Sequence, residues 1–242
     1  MLRLLLRNIF FLPVFVLTTA IVASTIILVS KLPRSARFIR TIEVYWAKIT
    51  VFASGVRVEA DEPTLDPTQN YIFLSNHQSH LDIPIILSRY AWYFPRFLAK
   101  DSLFRIPLFG PGMRRTGHLS VDRENKRQGM KDVQHAVDQI QNGESVLIFP
   151  EGTRNTTDEP LQDFQIGAFI IALKAGAPVI PLVLDGTRKI LPKGSILIRP
   201  GTVKLTALPP IDINAEYTLK QRDLLKEEVY TIMYKQLTEL GS

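Results

Sequence analysis

His77, Ser79, His80 and Asp82 crowd into the short stretch from Asn76 to Asp82, in a chain with only 4 histidines. The spacing of His77 and Asp82 suits one kind of chemistry. A carboxylate at the start of a helix stays ionised, and across a tight strand-to-helix turn it can reach back to an imidazole. That contact fixes the ring tautomer and leaves the second ring nitrogen free to take a proton from an alcohol. Each residue alone has a plainer reading: a solvated loop histidine, and an aspartate capping a helix whose first turn holds Pro84. Ser79 and His80 are read as shaping the turn.

Two further polar clusters end short apolar runs. One runs from Gly117 and His118 through Ser120 and Asp122 to Arg123; the other is Phe149, Pro150, Glu151, Gly152, Thr153 and Arg154. Glycine, threonine and arginine just after a strand suit an anion, which backbone amides and a guanidinium fork can hold together. Taken alone, Asp122 with Arg123 and Glu151 with Arg154 would be structural ion pairs. Two such clusters beside the histidine pair point instead to a phosphate-bearing substrate. Lys100, at the end of another apolar run, is a further candidate cation.

These residues need strands to hold them. Candidate strands are 56–59, 71–75, 97–100, 119–121, 146–149, 179–184, 196–198 and 203–207; candidate helices are 82–89, 127–141, 166–175 and 219–240. Strands alternating with helices predict an α/β fold with a mostly parallel mixed sheet flanked by helices, and in such sheets ligands bind beyond the carboxyl ends of the strands. The 242 residues suit one such domain plus an appendage. A hydrophobic fraction of 46% and a mean hydropathy of +0.09 exclude disorder and a polytopic membrane protein. With 0 cysteines, thiol nucleophiles, disulfide scaffolds and cysteine-ligated metals are excluded.

The net charge of +6 is not evidence of nucleic-acid binding, because of where it sits. Residues 1–54 carry 7 Lys and Arg against Glu43 alone, whereas the remainder balances 22 against 22. The excess flanks an uncharged run from Ile9 to Ser30, long enough as a helix to cross a hydrocarbon core. A signal peptide fits poorly, since the run is long and Lys31, Arg34, Arg37 and Arg40 follow it. From Ser35, Phe38, Ile42, Tyr45, Trp46, Ile49 and Phe52 recur at helical spacing, predicting an amphipathic interfacial helix, with a surface helix packed on the domain as the plainer alternative. The expected organisation is an N-terminal membrane-anchoring pair of helices at 1–54, suited to an anionic membrane surface, and a catalytic domain at 55–242.

Four motifs in order, NHQSHLD, GHLSVDR, FPEGTR and the proline-containing run Val179, Ile180, Pro181 and Leu182, resemble those of the glycerolipid acyltransferases, a family that includes the 1-acylglycerol-3-phosphate acyltransferases. One departure is Ser120, where family members often carry an aromatic residue. The resemblance implies that His77 is the general base, Asp82 its orienter, and that a hydroxyl attacks an acyl thioester directly. It implies Arg123 and Arg154 on the acceptor phosphate with Lys100 as a further cation. Glu151 would bond the acceptor or orient Arg154, and amides near Gly152 would serve the oxyanion. The donor would be acyl-coenzyme A or acyl carrier protein, the acceptor lysophosphatidic acid, with no cofactor or metal and with the site on the cytoplasmic face of a membrane. Glycerol 3-phosphate or another lysophospholipid is the alternative acceptor. A metal hydrolase using His77, His80 and Asp82 lacks a second ligand cluster, and a non-enzymatic lipid-binding scaffold leaves the base and its orienter without a purpose.

Overall fold

A computed structural model describes residues 2–122 and 125–241, with side chains described from residue 7 onward except at 126. Runs of helical period become helices and short β-branched runs become strands. In chain order they are α1 (Leu2–Val29), α2 (Ala36–Ser54), β1 (Arg57–Asp61), β2 (Ile72–Ser75), α3 (Asp82–Arg89), β3 (Arg96–Lys100), α4 (Phe109–Thr116), β4 (Leu119–Val121), α5 (Lys126–Gln141), β5 (Val146–Ile148), α6 (Ile166–Ala175), β6 (Val179–Asp185), α7 (Thr187–Ile190), β7 (Thr202–Ala207), α8 (Ile213–Glu216) and α9 (Arg222–Gly241). Short 3-10 turns occupy Asp101–Arg105 and Leu219–Gln221.

The strands form one sheet in the order β1-β7-β6-β2-β5-β3-β4. From β6 to β4 neighbours are parallel; β7 runs antiparallel to β6 and carries β1 parallel to itself. Five strands therefore deliver their carboxyl ends to one edge, with β2 and β5 side by side at its middle. All of β2 is buried, as expected where both faces are covered. Phe73 enters a core shared with α1 to α4, while Ile72 and Leu74 enter a second core under α5, α6 and α9. Pro181 lies inside β6, where its carbonyl accepts from Leu208 N on the β7 side. Its missing N–H faces that same side, so the pair with Leu208 makes one bond where two would otherwise form, just beyond the β6–β7 ladder that starts at Leu182.

Three regions depart from expectation. Residues 196–198 are not a strand; both backbone groups of Ile198 bond to the side chain of Asn8. Phe109–Thr116, rich in glycine and proline and outside the candidate helices, forms a helix. Its glycines are contact points: a Cβ at Gly110 would sit 2.1 Å from the Phe104 carbonyl oxygen, and one at Gly112 would press on Ala23 of α1 at 3.2 Å. Close packing thus outweighs weak helix propensity. The third concerns α2, whose apolar stripe divides. Phe38, Tyr45, Ile49 and Phe52 are exposed, whereas Trp46 turns inward to donate to Thr19 of α1 and Ile39, Glu43, Val44 and Ala47 dock on the domain.

Candidate active site

The chain leaves β2 at Ser75 and enters α3 at Asp82, and this turn is heavily cross-braced. Asn76 bonds through its side chain to both backbone groups of Leu184, lengthening the pairing with β6. The backbone N–H of His77 donates to Glu151 Oε1 at 2.7 Å, and its carbonyl accepts from Asn155 N at 2.7 Å. The imidazole stacks on Phe149, ring centroids 4.0 Å apart. Backbone and ring are thereby fixed before any substrate arrives.

Asp82 is fully buried. It does not cap α3, because Leu81 holds the cap position and the carboxylate turns back into the preceding loop. Asp82 Oδ2 accepts from the amides of Gln78 and Ser79 at 2.7 and 2.8 Å and lies 2.8 Å from His77 Nδ1. An ionised carboxylate can only accept, so Nδ1 carries the hydrogen and Nε2 presents a lone pair. That nitrogen has no protein partner among the described residues, and the side chain is 17% exposed. The arrangement can take a proton from a hydroxyl brought to the sheet edge. Ser79 is buried, its hydroxyl donating to Leu191 O at 2.7 Å, which suits the shaping role expected of it.

On the neighbouring strand, β5, Phe149 and Pro150 open a tight turn closed by Gly152 N donating to Phe149 O at 3.0 Å. Proline second and glycine last are what such a turn favours. Gly152 has φ +74°, a left-handed conformation that glycine adopts without strain. The Gly152 amide is therefore spent on the turn, but those of Thr153 and Arg154 have no partner among the described residues, leaving two donors for an oxyanion or a phosphate. Glu151 differs from expectation. Its second oxygen accepts from Gln162 N at 3.0 Å, and Arg154 is not among its partners. It is a buried strut between the His77 turn and the 160s, and desolvation raises its carboxyl to about 7 against the opposing pull of these two amides.

Arg154 faces Asp82 electrostatically; burial lowers its guanidinium's proton affinity and Asp82 raises it. Among the described residues its Nη1 is buried without a hydrogen-bond partner, as is Asp82 Oδ1. His80 reaches the surface, yet desolvation within the turn, then the charges of Arg154 and His77, push it down to about 4, so it is neutral near pH 7. Lys100 is exposed at the end of β3, two strands from β2, or about 10 Å at ordinary strand spacing. Arg123, the other expected phosphate ligand, lies outside the described residues. Along the β4 edge is a polar cleft of about 730 Å³ lined by Asp101, Ser120, Asp122, Asp132 and His135 among others. Among the described residues no group of three His, Asp or Glu side chains is placed to hold a metal ion.

Two braces had no sequence signal strong enough to find them. Asn155 follows the FPEGTR run directly and ties it to His77, and Lys193 reaches Thr153 Oγ1 at 3.3 Å from a loop some forty residues further on.

Residues 55–185 match the family described as Acyltransferase, and the chain belongs to that family. Within it, the chain is 30% identical over 210 residues to the 1-acyl-sn-glycerol-3-phosphate acyltransferase of Escherichia coli (strain K12), covering 86% of this chain and 83% of that one. It is 38% identical over 148 residues to the protein of the same description from Chlamydomonas reinhardtii, covering 60% of this chain and 44% of that one. A chloroplastic counterpart from Arabidopsis thaliana is 33% identical, covering 74% and 50%. The chain thus spans about half the length of the algal and plant relatives. The crystal structure of the 1-acyl-sn-glycerophosphate acyltransferase PlsC from Thermotoga maritima shares the fold, with a TM-score of 0.82 at 24% identity over 100% of this chain and 97% of that one.

Proposed function

We propose that this protein moves a fatty acyl group from a thioester, acyl-coenzyme A or acyl carrier protein, to the free hydroxyl of 1-acylglycerol 3-phosphate, giving phosphatidic acid. The observation that carries the reading is the His77 and Asp82 pair, with Nδ1 spent on the carboxylate and Nε2 open at the strand end. The acceptor hydroxyl gives its proton to Nε2 as its oxygen attacks the thioester carbonyl. The amides of Thr153 and Arg154 meet the oxyanion, the C–S bond breaks, and the imidazolium returns the proton to the departing thiolate. Base catalysis of this kind contributes roughly 10²- to 10⁴-fold, and positioning and oxyanion stabilisation supply the rest. Arg154, Arg123 and Lys100 take the acceptor phosphate, and Glu151 holds the turn on which both His77 and Arg154 depend.

Residues 1–54 form the anchor in this reading, and 55–242 the transferase domain. The stretch Arg7–Val29 is long and apolar enough to span a bilayer. It is, however, moored along its length: Asn8 to Ile198, Ala23 against Gly112, and Ile27 O with Ser30 Oγ to Arg115. A helix tied to the domain at both ends cannot cross while docked. It lies instead in one leaflet, with Phe10, Leu17 and Leu28 of α1 and Phe38 and Phe52 of α2 facing lipid. The basic flank favours the anionic, cytoplasmic leaflet.

The test is purified full-length protein in lipid vesicles with an acyl thioester and three acceptors offered separately, products being read by mass spectrometry. The expected order is 1-acylglycerol 3-phosphate ahead of glycerol 3-phosphate and of monoacylglycerol. Equal rates with monoacylglycerol would refute the phosphate role, and faster acylation of glycerol 3-phosphate would reassign the acceptor.

A further inference from the structure

The segment between Gly186 and Gly201 carries 4 Lys and Arg and no acidic residue. Its middle, residues 190–199, is a closed loop, because Arg199 N donates to Ile190 O at 3.0 Å. Three attachments define where it stands. Leu191 O accepts from Ser79, so the loop begins against the catalytic turn. Lys193 Nζ lies 3.3 Å from Thr153 Oγ1, which brings an ammonium group to the turn that presents Arg154. Ile198 is clamped by Asn8 at 2.6 and 3.0 Å, next to the exposed Ile9 and Phe10 of α1. Between these moorings Ile196 and Leu197 are 66% and 55% exposed. Lys193 forms no ion pair among the described residues. A cation whose partner is a neutral hydroxyl, beside a second cation, is arranged for an incoming anion.

Resting on the acyltransferase reading, we propose that this loop is a membrane contact outside the N-terminal helices, and that Lys193 receives the phosphate of the lipid acceptor as it passes from the bilayer to His77. The apolar tip continues the exposed face of α1, and its basic flank matches an anionic leaflet. Lipid headgroup and hydroxyl therefore enter along one short path, from Leu197 past Lys193 to the strand ends. A water-soluble phosphate would have no use for the apolar tip.

Two measurements test this, one of them independent of turnover. The chain has 0 cysteines, so Leu197→Cys and, separately, Phe52→Cys each give a single site for an environment-sensitive dye. With anionic phosphatidylglycerol vesicles, both labels are expected to shift to the blue. A shift at position 52 with none at 197 would overturn the loop contact while leaving the anchor and the enzyme reading standing. For turnover, Lys193→Ala should raise the KM for vesicle-borne 1-acylglycerol 3-phosphate roughly tenfold, with the donor KM unmoved, and Lys193→Arg should restore most of it. An unchanged acceptor KM, or an equal loss on both substrates, would overturn the role of Lys193. Absence of acyl transfer by the unmodified protein would be a failure of the enzyme reading instead.

Discussion

Among the described residues there are two histidine–carboxylate pairs, and only one can act as a base. At the strand edge, Asp82 takes Nδ1 of His77, and no described residue takes Nε2. Under α2, His118 Nε2 lies 2.6 Å from Glu43 Oε1 while Nδ1 accepts from Phe97 N at 3.3 Å, and the ring stacks on Phe97 with centroids 3.5 Å apart. Both nitrogens of His118 are occupied, and its side chain is 4% exposed. The cavity beside it, about 50 Å³ and lined by Val22, Ala23, Ile26, Trp46 and Met113, has room for a water or two but no substrate. Glu43 continues towards Arg96, whose Nε is 3.4 Å from Glu144, and Glu144 reaches back to Arg40 of α2 at 2.6 Å. The same kind of pair can take a proton where one nitrogen is left open, and fastens a helix where neither is.

The sharpest way to break this contrast is at His77. His77→Ala should lower kcat by roughly 10³ or more in a protein that still folds, and Asp82→Asn should come close to it by losing the tautomer. A folded His77→Ala protein that kept more than about a tenth of the original rate would sink the assignment. At the buried pair the loss appears in stability instead. His118→Ala leaves Glu43 desolvated and should cost about 3 kcal/mol in urea titration, with kcat per folded molecule within about twofold. A collapse of kcat in a folded His118→Ala protein would show that the two pairs are not so different in role.

The smallest effect concerns Glu151, and its sign can be stated. Its carboxyl loses a proton near 4.5 in the unfolded chain and at about 7 in the folded one. Between those values the unfolded state holds fewer protons, so this group's contribution to stability falls as pH rises and is fully lost above about 7. Relative to Glu151→Gln, wild-type stability should drop by about 1.4 kcal/mol from pH 6 to pH 8. A difference that stayed flat over this range would mean that the two amides outweigh desolvation and hold the folded-state carboxyl at or below its ordinary value.

Much of this was legible because local pattern and local chemistry agreed. The approach of His77 to Asp82 needs only a tight turn between a strand and a helix, and the parallel sheet follows from apolar runs of strand length separated by helical ones. What sequence spacing does not contain is the partner at a distance. Glu151 is expected on the acceptor or on Arg154, but its carboxylate serves amides of residues 77 and 162, which only the fold brings near. Phe109–Thr116 was hidden because its glycines signal a loop unless Ala23 and Phe104 are known to lie against them. Residues 196–198 have strand composition, yet the side chain of Asn8 satisfies Ile198 and no neighbouring strand does.

That clamp joins residues 190 positions apart, and it orders events in time as well as space. At ordinary synthesis rates of about 5–20 residues per second, roughly 10–40 s separate the emergence of Asn8 from that of Ile198. Phe97, His118 and Glu144, which receive α2, also follow it. For that interval the greasy leading helices have no protein surface to lie on, and the bilayer is the surface that matches them. For a chain anchored as proposed, the domain would then be made against helices already lodged in lipid, and the last contacts to form would be those that close it onto them. On that reading the membrane would serve as a template during assembly, and the yield of correctly docked protein would depend on whether lipid is present while the chain is being made.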